Sequence, residues 1–418
     1  MKSSVNTVNR VSLKETATEY FDPHGPSRAG FRQPPPDPKS MLCLITGLNR
    51  GGAETQLVLL MEALTARGWN VRVVTMLPGG ALQADLLKLG IKVSSLDMHR
   101  GIPDPRGLTR LLKILREDRP AILHMHMVHA NLLGRLCRLL ASVPVVISTI
   151  HTSPAGRRWA DIFYRLTDPL TDLTTIISAA AAARYIQVGA VPARRLVVVP
   201  NGIPVDQFQL GSEIRQRIRN ELGVEDKFVW LAVGRFEAPK DYPNLLHAMS
   251  RLSTPRNILL IAGDGPSRAS MEQLASTLGI SSEVRFLGTR TDVPRLMAAA
   301  DAYVMASAWE GLPMGLLEAS ASALPIVATD VGGNHEIVRD RISGELAPAK
   351  NPAALADAML RIVERSVDSR RSMGLAGRQH VRQHYSLSAV VDQWEQLYES
   401  LLQRNLLSSP SATSCLNA

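Results

Sequence analysis

From Met41 onward, short apolar runs alternate with longer segments whose apolar residues recur every three or four positions. That is the pattern of buried parallel strands alternating with amphipathic helices. Leu42 to Thr46 predicts a strand, Gly47-Leu48-Asn49-Arg50-Gly51-Gly52 a glycine turn, and 53–67 a helix with Leu57, Leu60, Met61 and Leu64 on one face. Further strands are predicted over 71–76, at Val93, and over 122–125, 145–150, 174–177 and 196–199, with helices over 81–89, 106–117, 130–141, 157–167 and 178–188. Pro200-Asn201-Gly202-Ile203-Pro204 then interrupts the pattern and suits a hinge. The alternation restarts with strands over 228–233, 258–262, 284–287, 302–305 and 326–329, and helices over 241–252, 267–278 and 292–299. Helices over 351–366, 369–384 and 387–404 end it. The fold class is α/β, with two doubly wound parallel sheets in tandem facing a central cleft.

The chain is organised around the stretch from Ala302 to Ala319. Ala302 to Met305 is apolar and fit for a buried strand, and Glu310-Gly311 breaks it. Pro313 suits the first helical position, where its missing N–H costs nothing, and Met314, Leu317 and Ala321 follow at helical spacing. A helix therefore opens at the carboxyl end of a strand, where open α/β sheets bind ligands and free N–H groups suit an anion such as a diphosphate. Glu310 in the loop and Glu318 inside the helix are too far apart along the chain to share a proton. They suit opposite ends of one elongated ligand.

A length of 418 residues exceeds one comfortable core, which agrees with two domains. No apolar run approaches the ~20 residues of a membrane span, and the first residues lead into polar sequence. Cys43, Cys137 and Cys415 are widely spaced and suggest neither a disulfide framework nor a metal cluster. The expectation is a cytoplasmic protein. Charge is uneven: 19 Lys and Arg stand against 10 Asp and Glu over residues 41–200, and 22 against 24 over 201–418. A basic half suits an anionic membrane surface, a phosphorylated substrate or nucleic acid, or is simply a solvated face. Arg106, Arg110, Lys113, Arg116 and Arg119 punctuate Leu108, Leu111, Leu112 and Leu115, and Arg135 and Arg138 repeat the theme. These helices either lie on a membrane or pack on the core with a basic outer face. They contain no aromatic residue, which argues against nucleic acid.

Gly51-Gly52-Ala53-Glu54, Pro200-Asn201-Gly202-Ile203, Gly234-Arg235 with Lys240, Glu310 separated by seven residues from Glu318, and Asp330-Val331-Gly332-Gly333 occur in that order. Together, over residues 41–404, they resemble the family 4 retaining glycosyltransferases of GT-B architecture, with two Rossmann-like domains. The resemblance implies a leader over 1–40, an acceptor-side domain over 41–203 and a nucleotide-sugar domain over 204–385. A helix over 386–404 would pack back toward the first domain, ahead of a tail over 405–418.

The activity it implies is metal-independent transfer of a sugar from a nucleotide-diphosphate sugar to a glycan or polyprenyl-diphosphate-linked acceptor, in cell-surface polysaccharide assembly. The donor is a co-substrate, no cofactor is implied, and the location is cytoplasmic, peripheral on the inner membrane face where the protein docks on lipid. Glu318 would bind the ribose, and Arg235 and Lys240 the diphosphate and the charge growing on it. The turn Gly311-Leu312-Pro313-Met314-Gly315 would present amides to the same phosphates, and Glu310 would hold a sugar hydroxyl. His151, at a strand end facing the cleft, would contact the donor sugar, and Gly51-Gly52 would allow close approach of phosphate or acceptor.

Pro204 intervenes where the family turn carries an acid, which leaves Asp206 without a clear role. No Asp-x-Asp is present. The first glycine turn lacks the dinucleotide fingerprint, which counts against a nicotinamide enzyme. His124, His126 and His129 come without a carboxylate and read as packing or acceptor-side residues. A nucleotide-sugar epimerase on the same fold would need further acid–base residues beside His151; a non-catalytic nucleotide-sugar-binding protein is the other rival.

Overall fold

The computed structural model describes residues 36–101, 104–151, 158–252 and 256–407; the expected leader before residue 36 and the tail beyond 407 lie outside them. The first sheet holds β1 (Ser40–Ile45), β2 (Asn70–Thr75), β3 (Lys92–Ser95), β4 (Ile122–His126), β5 (Val145–Ile150), β6 (Leu173–Ile176) and β7 (Leu196–Val198), in the order β3-β2-β1-β4-β5-β6-β7. The second holds β8 (Phe228–Val233), β9 (Asn257–Ala262), β10 (Val284–Gly288), β11 (Ala302–Met305), β12 (Ile326–Thr329) and β13 (Gly344–Ala347), in the order β10-β9-β8-β11-β12-β13. Neighbouring strands are parallel throughout. Helices cover both faces, which is why β1, β5, β9, β11 and β12 are almost wholly apolar or buried.

Each sheet reverses its winding beside its first strand, between β1 and β4 and between β8 and β11. Loops leaving neighbouring strands diverge at such a point and open a crevice. The loops after β8 and β11 carry Arg235, Lys240 and Glu310; those after β1 and β5 carry Gly51, Gly52 and His151.

The chain crosses between the sheets twice, and the crossings are hydrogen-bonded to each other: Ile203 N donates to Tyr385 O and Leu387 N to Ile203 O, both at 2.9 Å. The last helix, Leu387–Leu407, then returns to the first sheet, where Val390, Val391, Trp394, Tyr398 and Leu401 complete a core with Met41, Cys43, Leu57 and Val145. Beneath it a polar line crosses the sheet. Thr175 Oγ1 lies 2.7 Å from Thr149 Oγ1, Thr149 Oγ1 2.6 Å from His124 Nε2, and His124 Nδ1 2.9 Å from the Tyr398 hydroxyl.

Several elements differ from expectation or sharpen it. Helix Ser212–Leu222 follows Ile214, Ile218 and Leu222 at four-residue spacing inside a highly charged segment, where only a thin apolar stripe marked it. Strand β13 has four residues and a central Glu345, buried because Arg361 and Arg365 both pair with it. Pro313 sits one residue before its helix as an extended cap (φ −74°, ψ 128°), so Met314 opens the helix. The basic helix, Pro105–Asp118, buries Leu111, Leu112 and Leu115 and so uses its leucines on the core. The last helix runs three residues into the expected tail.

Tyr398→Phe keeps the packed ring but leaves His124 Nδ1 without its partner. It is expected to lower unfolding free energy by about 1–2 kcal/mol, read as a shifted urea midpoint at unchanged slope. An unshifted midpoint would show that the hydroxyl does not help hold the helix.

Candidate active site

The loop leaving β8 begins with Gly234 in a tight spot: a Cβ there would stand 3.0 Å from Lys240 Cε and 3.2 Å from the Tyr242 hydroxyl. Tyr242 donates to Gly234 O at 2.9 Å and closes the loop into a short turn that carries Lys240 back toward β11. There Lys240 Nζ donates to Glu310 Oε1 at 2.6 Å, and Ser307 Oγ donates to the same oxygen at 2.7 Å. Thr329 Oγ1 at the end of β12 braces this loop by donating to Ser307 O at 2.6 Å. The Lys240 and Glu310 side chains are 23% and 13% exposed, so the pair is largely withdrawn from water and water screens it less than it screens surface pairs.

Gly315 brings the next helix, Met314–Ala321, hard against Tyr303, whose hydroxyl donates to Val233 O at the end of β8. Glu318 faces into the same space. Burial pushes its carboxyl up to about 7, only partly offset by the Lys240 cation. Arg235 is different: its side chain is exposed and pairs with Glu237 at 3.1 Å. Its charge reaches Glu54 on the opposite domain, whose carboxyl burial raises and Arg235 lowers.

The glycine turn of the first domain therefore faces the second. A Cβ on Gly52 would lie 3.6 Å from Met314 Cγ, and on Gly51 it would strike the Glu54 carboxylate folded back over the helix start. His151 enters by its backbone: its carbonyl abuts Gly311, while its ring is buried and turned to His126, with Nε2 2.9 Å from His126 Nδ1. His151 Nδ1 has no partner among the described residues. Burial holds its pKa down to about 4, so the ring is neutral at physiological pH.

Glu310, Lys240, Glu318, Gly311, Leu312, Pro313, Met314 and Gly315 thus gather on one wall, with Gly51, Gly52 and the His151 backbone opposite. Asp206 does not join them; it is exposed and pairs with Arg378 and Arg382 at 3.6 and 3.7 Å. Sequence reasoning missed Ser307 and gave Glu54 no role of its own, while His126, read as a packing or acceptor-side residue, partners His151. Glu54 stood in the quoted motif as an acid in a first helical turn, and Ser307 three residues before Glu310, but only the fold aims them here.

The cysteine spacing concealed one cluster. Because β1 pairs with β4, Cys43 lies opposite His124, and Cys43, His124 and His126 offer ligand atoms within 4.8 Å of one another. Both His124 nitrogens are engaged, and burial raises the Cys43 thiol far above its usual range, with Sγ 3.2 Å from Met61 Sδ. This arrangement suits packing.

Residues 50–207 match the family model described as Glycosyltransferase Family 4, and residues 214–380 the model described as Glycosyl transferases group 1. The chain is 26% identical over 282 residues to the UDP-Gal:alpha-D-GlcNAc-diphosphoundecaprenol alpha-1,3-galactosyltransferase of Escherichia coli, covering 64% of this chain and 72% of that protein. It is 27% identical over 377 residues to the phosphatidyl-myo-inositol mannosyltransferase of Mycobacterium tuberculosis, covering 86% and 96%. The fold is similar to the crystal structure of Anabaena Alr3699/HepE in complex with UDP and glucose, with a TM-score of 0.78 at 22% identity over 86% of this chain and 99% of that one. Two family matches that divide the chain where the sheets change, and a shared two-sheet architecture, place this chain in the group 1, family 4 glycosyltransferases of GT-B architecture.

Proposed function

We propose that the protein moves a sugar from a nucleotide-diphosphate sugar to a hydroxyl of a lipid-linked glycan, with retention at the anomeric carbon and without a metal ion, in cell-surface polysaccharide assembly. The observation that carries this reading is the clustering of Lys240, Glu310 and Glu318 at the β8/β11 crevice, with Arg235 beside them. Glu318, once ionised, accepts the two ribose hydroxyls. Lys240, Arg235 and the amides at the start of helix Met314–Ala321 surround the diphosphate and meet the charge that grows on it as the bond to the anomeric carbon breaks. Arg235, exposed and paired only with Glu237, is free to turn to that anion.

Glu310 lies on the sugar side, where its carboxylate accepts a sugar hydroxyl and stabilises positive charge at the anomeric carbon. The acceptor oxygen then bonds to that carbon on the face the diphosphate leaves, and the departing phosphate oxygen takes the acceptor's proton. His151 supplies orientation, being neutral. Gly51 and Gly52 leave room opposite for the acceptor.

The lipid-linked acceptor draws support from the relatives, whose names specify a diphosphoundecaprenol-linked and a phosphatidylinositol acceptor. Among the described residues no helix is long and apolar enough to cross a membrane; location at the inner membrane face belongs to this proposal. An epimerase fits less well. It needs an acid–base pair at the sugar, and here Glu310 is tied to Lys240 while burial keeps His151 from protonating.

Two measurements test the reading. In a screen of nucleotide sugars with a lipid-diphosphate acceptor, Lys240→Ala and Glu318→Ala are each expected to lower product formation at least about 100-fold with the fold intact. Wild-type turnover in both would overturn it.

The second concerns pH. Folded Glu318 keeps its proton up to about pH 7, whereas its ordinary value is 4.5, so between those values the folded state holds a proton that the unfolded chain has lost. Stability from this group therefore falls as pH rises from 4.5 to 7. Relative to Glu318→Gln, the wild type is expected to lose at most about 3 kcal/mol across that window, measured by urea unfolding at both ends. UDP affinity should rise through pH 7 in the wild type and lose that dependence in Glu318→Gln. Parallel profiles for the two proteins would remove Glu318 from the ribose site.

A further inference from the structure

Helix Arg158–Thr167 carries a face that sugar transfer leaves unused. Ala160, Tyr164 and Thr167 are buried on its inner side. Trp159, Ile162, Phe163 and Leu166 are 42%, 57%, 49% and 69% exposed. They stand at i, i+3, i+4 and i+7 and so form one outward apolar stripe. Arg135 on the neighbouring helix, Val128–Cys137, donates to Tyr164 O and Thr167 Oγ1, both at 3.1 Å, so the two helices run side by side. That neighbour adds exposed Leu136, followed by Leu139 and Leu140 in the turn beyond. An apolar face of this extent is a contact surface.

Charge identifies the occupant. Arg158 and Arg165 are exposed on the same helix and make no ion pair among the described residues. Arg116 reaches in from helix Pro105–Asp118 to donate to Leu140 O at 3.5 Å. The helix's one acid, Asp161, is withdrawn and paired with Arg184 at 2.8 Å. An apolar centre with a cationic rim matches the boundary of an anionic bilayer, where side chains enter the acyl edge and guanidinium groups meet lipid phosphates. A second copy of the chain would bring these arginines against one another. Position agrees as well: the stripe begins at the cleft end of the sheet, with the Trp159 ring 5.9 Å from that of His129, three residues beyond β4.

We propose that Trp159, Ile162, Phe163 and Leu166 form a membrane-docking stripe that seats the first domain in an anionic bilayer beside the cleft. For its purpose this rests on the lipid-linked acceptor proposed above; for its chemistry it rests on these side chains. It moves the expected membrane contact from helix Pro105–Asp118, whose leucines serve the core, to the helix after β5.

The test is co-sedimentation of the full chain with vesicles of mixed phosphatidylglycerol and phosphatidylcholine, and with phosphatidylcholine alone, at low salt. Preferential binding to the anionic vesicles is expected. Ile162→Glu with Leu166→Glu, at exposed positions, should weaken it at least about tenfold while leaving the unfolding midpoint in place. Arg158→Glu with Arg165→Glu should abolish the anionic preference, and Arg106→Glu with Lys113→Glu should leave binding unchanged. Failure of the wild type to bind, or undiminished binding by the Ile162/Leu166 variant, would overturn the proposal. So would a dimer, seen by sedimentation velocity, that this variant dissociates, since a second copy would then own the stripe. Affinities for UDP, GDP, ADP and dTDP are measured alongside: absence of binding to all of them in the wild type defeats the sugar-transfer reading without touching the vesicle result.

Discussion

The two domains meet where neither has room for a side chain. A Cβ on Gly311 would stand 2.5 Å from the His151 carbonyl, and one on Gly333 2.6 Å from Gly311 O. Backbone from the loop after β11 therefore rests on backbone at the end of β5, and this fixes Glu310 opposite the first domain. Gly332, at φ 53°, lets the following loop turn back over Glu310, and Gly333 N donates to Gly311 O at 2.8 Å. Around this contact Ile177 of the first domain is buried in one apolar cluster with Leu312 and Met314, and polar contacts flank it. Glu336 accepts from the amides of Ala179 and Ala180 at 3.0 Å each, capping helix Ala179–Gln187 from the other domain, and Asn201 Nδ2 donates to Leu312 O at 2.9 Å. Hydrogen bonds of this kind are exchanged for water more cheaply than a large apolar seal is exposed, so the arrangement suits a cleft that opens and closes.

The crossings at Ile203 and Tyr385 keep such opening orderly. They pair with each other, and Gly202 leaves only 3.0 Å between a would-be Cβ and Val390, so the two connections are tied together as a single junction. The last helix belongs mechanically to the first domain although its sequence follows the second, and Trp394 and Tyr398 hold it there against His124. Motion of the second domain thus leaves that core intact.

The alternation of strands and helices was legible because parallel strands buried on both faces must be apolar runs; Val145–Ile150 and Ala302–Met305 carry that signal without interruption. Where a strand is too short to show it, as in β13, an ion-paired Glu345 erased it. At the site, Glu310, Glu318, Lys240 and the glycines could be named because each stands at a fixed offset from a strand end. Their partners could not. Whether Lys240 meets Glu310 depends on a turn of the chain between residues 234 and 242, and the proximity of Arg235 to Glu54 depends on how two domains close. The basic leucine-rich helix left two readings open because its periodicity is that of any amphipathic helix; only burial separates Leu111, facing the core, from Leu166, facing out.

Charge in the cleft is already arranged for exchange. Lys240 is neutralised by Glu310, and Glu318 is close to half protonated at neutral pH. On the proposed reading, a diphosphate arriving at Lys240 would compete with Glu310 for that cation, and ribose hydroxyls arriving at Glu318 would supply the hydrogen bonds that favour its ionised form. The two carboxylates, on one wall of one crevice, would then respond to a single ligand in opposite ways: one gives up a cation, the other a proton. A surface pair of the same residues would gain nothing from this, because water would already have screened both charges. On that reading, burial at the β8/β11 crevice favours a ligand that brings an anion and a sugar hydroxyl at the same time.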